Sequence, residues 1–140
     1  MMKRLMGLDL GDKTIGVAVS DPMGWTAQGV TVIRRVSHER DFQALRQVID
    51  EYEIHEIVLG FPKNMDGTVG ERGKLSLAYA ERIKGTLGLP VVLWDERLTT
   101  VAATRTLLEA DVSRAKRKQV VDKMAAALLL QTYMDSKAKG

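Results

Sequence analysis

Apolar positions along the chain repeat with different periods in different stretches, and the changes of period mark out the elements. Arg4 to Leu10 is mostly apolar and runs into Asp9-Leu10-Gly11-Asp12, which reads as a strand entering a turn. Ile15 to Ser20 follows after only a few residues, so the two segments are expected to form a hairpin. Gln28 to Arg35, with Val30 and Val32, supplies a third strand. The period then shifts. Phe42, Leu45, Ile49 and Tyr52 recur at spacings of three and four, as an amphipathic helix requires. Glu56 to Gly60 is a short buried strand, and a loop with Pro62 and Asp66-Gly67 leads to a second helix. Leu75, Tyr79, Ile83 and Leu87 form the stripe of that helix, and Gly88 and Pro90 stop it. Val91 to Trp94 is another buried strand and ends in Asp95-Glu96. Thr99 or Thr100 can cap a helix reaching about Ala110, and a final helix spans about Arg117 to Met134.

Antiparallel strands followed by units that alternate helix and strand predict an α/β fold: a mixed five-stranded sheet with helices on both faces. The 140 residues suit one domain over 1–140, and 45% hydrophobic with 28% charged residues is an ordinary globular balance. No apolar run approaches the roughly 18 residues of a membrane helix, and the N-terminus has no leader-like pattern, so no membrane partner is expected. The absence of cysteine excludes disulfides and thiolate metal sites and fits a cytoplasmic location. A net charge of +3 permits a polyanionic partner without requiring one. Its distribution says more, because Arg114, Lys116, Arg117 and Lys118 fall within five positions and are followed by Lys123. That cluster is either a solvated loop and helix start or a contact for phosphates. His38 and His55 read as surface residues, and Trp25 as a solvent-facing or packing residue more than a base-stacking one.

Three acids stand out by position. Asp9 closes the first strand, Glu96 lies just past Val91–Trp94, and Asp122 sits in a helix otherwise almost wholly apolar from Val120 to Leu130. An ionised Asp inside such packing is costly unless paired or bound to metal. Ala125 and Ala126 lie one turn on, so this face is narrow and can approach the sheet closely. Each acid alone has a plain reading: a turn bond for Asp9, pairing with Arg97 for Glu96, a first-turn position for Asp122. Together, oxygen ligands without Cys or a His pair suit Mg²⁺ or Mn²⁺ and phosphoryl transfer. Around them, Gly11-Asp12-Lys13-Thr14 offers amides and a hydroxyl either to a phosphate or to a tight hairpin. Lys63 and Asn64 leave a buried strand at the edge where α/β proteins place ligands, and Arg97 is placed either to touch phosphate or to pair with Asp95.

Four blocks in order resemble the YqgF family, also called RuvX, of RNase H-like proteins. They are Gly7-Leu8-Asp9-Leu10-Gly11 with Thr14 to Val19, Gly60 to Thr68, Asp95 to Thr100, and Asp122 to Ala126. The resemblance covers nearly the whole chain. It implies an RNase H-like nuclease domain over 1–140, with Asp9, Glu96 and Asp122 as catalytic and metal-holding residues. It also implies processing of the 5′ end of pre-16S rRNA, with a pre-ribosomal particle as a further partner. A Holliday junction resolvase is the family's second description, through similarity to RuvC. Here the second acid follows the fifth strand rather than the fourth, whose end (Gly60 to Asn64) carries no acid, which favours RNA precursor over DNA junction. The expected nucleic-acid contacts are Lys13, Thr14, Lys63, Asn64, Arg97, Arg114, Lys116, Arg117 and Lys118. A catalytically idle ribosome-assembly factor would keep the fold without needing three acids. An ATP-binding protein of the actin and Hsp70 type would need a second domain that 140 residues cannot supply.

Overall fold

Strand pairing and helix packing were read from a computed structural model, which describes residues 4–63, 66–96 and 114–139, with side chains in the last stretch from 120 to 137. The elements are β1 (Arg4–Leu10), β2 (Thr14–Ser20), β3 (Ala27–Arg34), α1 (His38–Tyr52), β4 (Ile54–Phe61), α2 (Glu71–Leu87), β5 (Val91–Asp95) and α3 (Arg114–Lys139). The helix expected between Thr99 and Ala110 lies outside the described residues. The five strands stand in the order β3-β2-β1-β4-β5. β1 pairs antiparallel with β2 and parallel with β4, and β4 pairs parallel with β5, so the sheet is mixed as expected.

Side chains alternate across each strand, and this divides the interior in two. Met6 and Leu8 of β1 and Ile57 and Leu59 of β4 join Phe42, Leu45 and Ile49 of α1 and Tyr79, Ala80 and Ile83 of α2 in one core. Ala18 of β2 and Val58 of β4 join Ala126, Leu130 and Tyr133 of α3 in the other. Helices therefore cover both faces, α1 and α2 on one and α3 on the other.

α3 sits unusually close to the sheet because the strands beneath it carry glycines. A Cβ on Gly7 of β1 would lie 2.8 Å from the Leu130 Cβ, and one on Gly29 of β3 would lie 2.8 Å from the Lys123 carbonyl oxygen. At Gly16 of β2 it would collide with the backbone carbonyl of Asp122. The narrow face expected at Ala125 and Ala126 thus meets a matching glycine-lined seat.

Two expectations need correction. Leu75 is not on the buried stripe of α2 but is 65% exposed. Gly73 lets the helix settle on the Pro62 carbonyl, 2.9 Å from where its Cβ would stand. The buried face then runs through Gly73, Ser76, Tyr79, Ala80, Ile83 and Leu87, and Leu75 is turned about 100° away from Ser76. In addition, α3 begins at Arg114, so the basic stretch from Arg114 to Lys118 is helical rather than a loop. That start also moves Asp122 more than two turns inward, out of the first-turn position.

Tyr79 is 3% exposed, and its hydroxyl has no hydrogen-bond partner among the described residues. Burial, with the Asp41 carboxylate adding to it, pushes its phenol up to about 12, while the Arg35 guanidinium pulls the other way. Ionising Tyr79 is thus harder in the folded chain than in the unfolded one. Its contribution to stability is complete below pH 10 and is lost as pH rises toward 12. Tyr79→Phe is expected to be about 1 kcal/mol more stable at neutral pH, since it removes a buried hydroxyl left unsatisfied. It should also lose less stability than wild type between pH 10 and 12, and urea denaturation across that range measures both effects.

Candidate active site

Parallel strands β1, β4 and β5 all end at one edge of the sheet, and the three acids singled out in the sequence are carried to that edge. Asp9 stands two residues after Gly7 on β1, and so shares with it the face covered by α3. Glu96 follows β5 directly, and its Oε1 lies 2.6 Å from where a Cβ on Gly60 of β4 would stand. Gly60 therefore leaves the space that the Glu96 side chain occupies, on the face that also holds Leu129 of α3. The backbone of Asp122 in α3 comes down on Gly16, the residue paired with Asp9 across the hairpin, and its carboxylate meets the Thr14 hydroxyl. Asp9 is 8% exposed and Asp122 6% exposed, both unusually buried for carboxylates.

The turn between β1 and β2 supports this arrangement. The Gly11 amide donates to the Thr14 carbonyl at 2.8 Å, closing the hairpin. The Thr14 hydroxyl donates to the Asp122 Oδ2 at 2.8 Å, tying the turn to α3. The loop's one glycine amide and one hydroxyl are thus engaged within the protein. Arg35, which the sequence reading passed over, holds the same turn from outside. Its backbone amide donates to the Lys13 carbonyl at 2.8 Å and its Nη1 to the Gly11 carbonyl at 2.7 Å.

The remaining candidates divide into those the structure places and those it does not describe. Lys13 is exposed at the tip of the turn. Lys63 follows β4 at the same edge, with its ammonium 5.7 Å from the Phe61 ring centre. Asn64 and Arg97 lie outside the described residues. Arg114, Lys116, Arg117 and Lys118 have helical backbone in α3, but their side chains are outside the described residues. Asp66 closes a turn, as its sequence suggested: its Oδ1 accepts from the Thr68 amide and hydroxyl, and Gly67 has φ of 89°. His38 and His55 are exposed, and Trp25 is 73% exposed on the loop before β3, at the far end of the hairpin from Asp9.

The donor set is right in kind for a hard divalent cation: three carboxylates on one face of one edge, with no thiolate or imidazole among them. Among the described residues, however, no three His, Cys, Asp or Glu side chains are close enough together to hold a metal ion by themselves. Mg²⁺ is commonly held by one or two carboxylates together with water and substrate phosphates, so a complete protein cage is not required of such a site.

Residues 3–136 match a family model described as RuvX, Holliday junction resolvase. A protein of Desulforamulus reducens, provisionally named a pre-16S rRNA nuclease, is 60% identical over 97% of this chain and 99% of its own length. A protein of Thermoanaerobacter pseudethanolicus with the same name is 56% identical over 95% of this chain and 96% of its own. Among solved structures, Thermus thermophilus RuvC in complex with a Holliday junction aligns with a TM-score of 0.59 over 97% of each chain, at 14% identity. A yeast mitochondrial Holliday junction resolvase aligns at 0.56 over 98% of this chain and 80% of its own, also at 14%. At that identity the likeness is one of fold, and the fold is RNase H-like.

Proposed function

We propose that this chain, which belongs to the RuvX family, is a divalent-metal-dependent nuclease acting in the cytoplasm on structured nucleic acid. In this reading residues 1–140 work as one RNase H-like domain, and the favoured substrate is the 5′ region of pre-16S rRNA. The observation that carries the reading is the convergence of Asp9, Glu96 and Asp122 on one face of one sheet edge. Nothing in the packing of a sheet calls for three acids there, and two of them are nearly buried.

Asp9, Glu96 and Asp122 would hold Mg²⁺ or Mn²⁺, which when bound supplies Lewis-acid activation for phosphodiester hydrolysis. The chain's own residues bind and orient. The Thr14 hydroxyl fixes the rotamer of Asp122 through its 2.8 Å bond, so Thr14 acts as a positioning residue more than as a phosphate contact. Lys13 and Lys63 flank the edge and would meet backbone phosphates, with Asn64, Arg97, Arg114, Lys116, Arg117 and Lys118 extending that contact. The closeness of α3 to the sheet excludes water from the inner side of Asp9 and Asp122.

Thr14→Val removes the hydroxyl and keeps the shape. It is expected to lower turnover about 10-fold to 100-fold, the usual loss when a group supporting a metal ligand is removed. An unchanged far-ultraviolet circular dichroism spectrum would separate that effect from misfolding. Affinity for nucleic acid should fall steeply as salt rises, because counterions are released on binding. A binding curve flat from low to high salt would take the phosphate role away from the lysines and arginines.

A second reading, junction resolution, is favoured by the description of the family and by the fold of the RuvC-type structures. The discriminating experiment compares cleavage of a small-subunit rRNA precursor and a four-way DNA junction by wild type. Preferential cutting of the RNA supports rRNA processing, and symmetric cutting of the junction supports the resolvase. Equal binding of both without cutting moves the chain to a non-catalytic assembly factor.

A further inference from the structure

Asp9 and Leu10 are consecutive at the end of β1 and point to opposite faces of the sheet. Asp9 takes the α3 face, and Leu10 packs with the core beneath α1 and α2. On Leu10's side a shallow open cleft of about 30 Å³ is lined by Gly11, Asp12, Arg35, Pro62, Arg72 and Ser76 among others. It opens on the same sheet edge as the three acids, one residue along the chain from Asp9.

Two arginines, Arg35 and Arg72, line this cleft. Arg35 is half-buried and held at three points: its Nη1 donates to the Gly11 carbonyl, its backbone N–H donates to the Lys13 carbonyl, and the Tyr79 ring lies 5.5 Å from its guanidinium carbon. A guanidinium has five N–H donors in a rigid fork, and the structure assigns one of these to Gly11. Arg72 stands on the first turn of α2, which Gly73 seats against the Pro62 carbonyl. Neither arginine has an ion-pair partner among the described residues. Among the lining residues the Asp12 carboxylate offsets one of the two positive charges and leaves the lining cationic. An arginine held in this way in the wall of an open cleft suits a phosphate, which guanidinium groups bind in bidentate fashion.

We propose that this cleft is a subsite for a backbone phosphate adjacent to the scissile one, with Arg35 and Arg72 as its ligands. The proposal rests on the nuclease reading above. A backbone running along the acids' edge would meet this cleft on the other face of the sheet, and its positive charge would hold the strand there. Because a phosphodiester backbone is common to RNA and DNA, the subsite itself does not choose between them. The carboxylates' face does the chemistry and the opposite face grips the strand.

The test measures equilibrium binding in a background of Asp9→Asn, using a fluorescent rRNA-precursor fragment in one arm and a four-way DNA junction in the other. Arg72→Gln and Asp12→Asn are the informative changes, because both side chains are exposed and neither supports the fold. Arg72→Gln should weaken binding about 3-fold to 10-fold and reduce the salt slope by about 0.7 to 0.9, the share of one phosphate contact. Asp12→Asn should do the opposite and tighten binding, since it removes the acid in the cleft's own lining. Arg72→Lys should restore the salt slope but only part of the affinity, because it keeps the charge and loses the fork. If Arg72→Gln and Asp12→Asn both bind like the parent protein while the parent binds in a salt-dependent way, the subsite is wrong and the nuclease reading stands. If the parent binds neither probe, the nuclease reading fails and the subsite falls with it.

Discussion

Asp122→Asn is expected to lower nucleic-acid cleavage about 10³-fold while leaving the protein folded, the cost of removing about 4 kcal/mol of transition-state stabilisation. The two side chains have the same shape, and the amide oxygen can still accept the Thr14 hydroxyl bond seen at 2.8 Å. What disappears is the negative charge at a position that is 6% exposed and seated on Gly16. Because the isosteric amide keeps the shape and the Thr14 bond, the variant should unfold close to the temperature of wild type while its cleavage is strongly reduced. An inactive variant that is also unstable would point to a structural Asp122. Activity within tenfold of wild type would remove Asp122 from the site altogether. The pair of readouts, initial cleavage rate and thermal midpoint, separates these outcomes in one preparation.

Gly16→Ala is expected to destabilise the chain by about 3 kcal/mol or more, at the upper end for a single added methyl group. The new Cβ would run into the carbonyl of Asp122, which is backbone and cannot rotate aside. α3 would have to lift from the sheet, loosening its contacts with Gly7 and Gly29 and carrying the Asp122 carboxylate away from Asp9. Stability and catalysis should thus fall together, unlike the outcome for Asp122→Asn. Gly85 provides the control, because a Cβ there meets nothing within 4 Å and the residue lies inside α2. Gly85→Ala should stabilise by about 0.5 to 1 kcal/mol through helix propensity. Urea midpoints for the two alanine variants should move in opposite directions. A Gly16→Ala midpoint equal to wild type would contradict the close seating of α3.

Much of this architecture is legible in the residues, and the parts that are not share a cause. The strands could be read because β1, β2 and β4 are apolar on both faces and bounded by turn residues, and the ends of the five strands lie within two positions of those expected. Gly88 marked the end of α2 correctly, where it adopts φ of 70° and its amide reaches the Lys84 carbonyl. Leu75 misled because spacing alone cannot show which of two adjacent stripes a helix buries. That choice is made by Gly73 against Pro62, a contact between elements. The start of α3 was missed because the Arg114 to Lys118 run has no apolar period, although lysine and arginine are good helix formers.

At the site, Asp9, Glu96 and Asp122 could be picked out as acids at strand ends and in an apolar helix. The glycines that bring them together were the overlooked signal. Gly7, Gly16, Gly29 and Gly60 each interrupt a strand, where glycine marks close approach of another backbone or side chain. Thr14 reads from the sequence as part of the turn beside Asp9, and its hydroxyl partner is Asp122, more than a hundred residues along the chain. Arg35 carried no sequence signal, since its role depends on the fold of a turn from a different hairpin arm.

The most direct test of the central claim is a metal titration of cleavage, using a 5′-labelled rRNA precursor, wild type and Asp9→Asn, and Mg²⁺ or Mn²⁺ added to chelator-treated protein. If Asp9, Glu96 and Asp122 form a metal-dependent nuclease site, wild type will cut nothing without metal and will reach a saturating rate as metal is added, while Asp9→Asn stays inactive throughout. Cleavage that persists in chelator, or that Asp9→Asn supports as well as wild type, would contradict it.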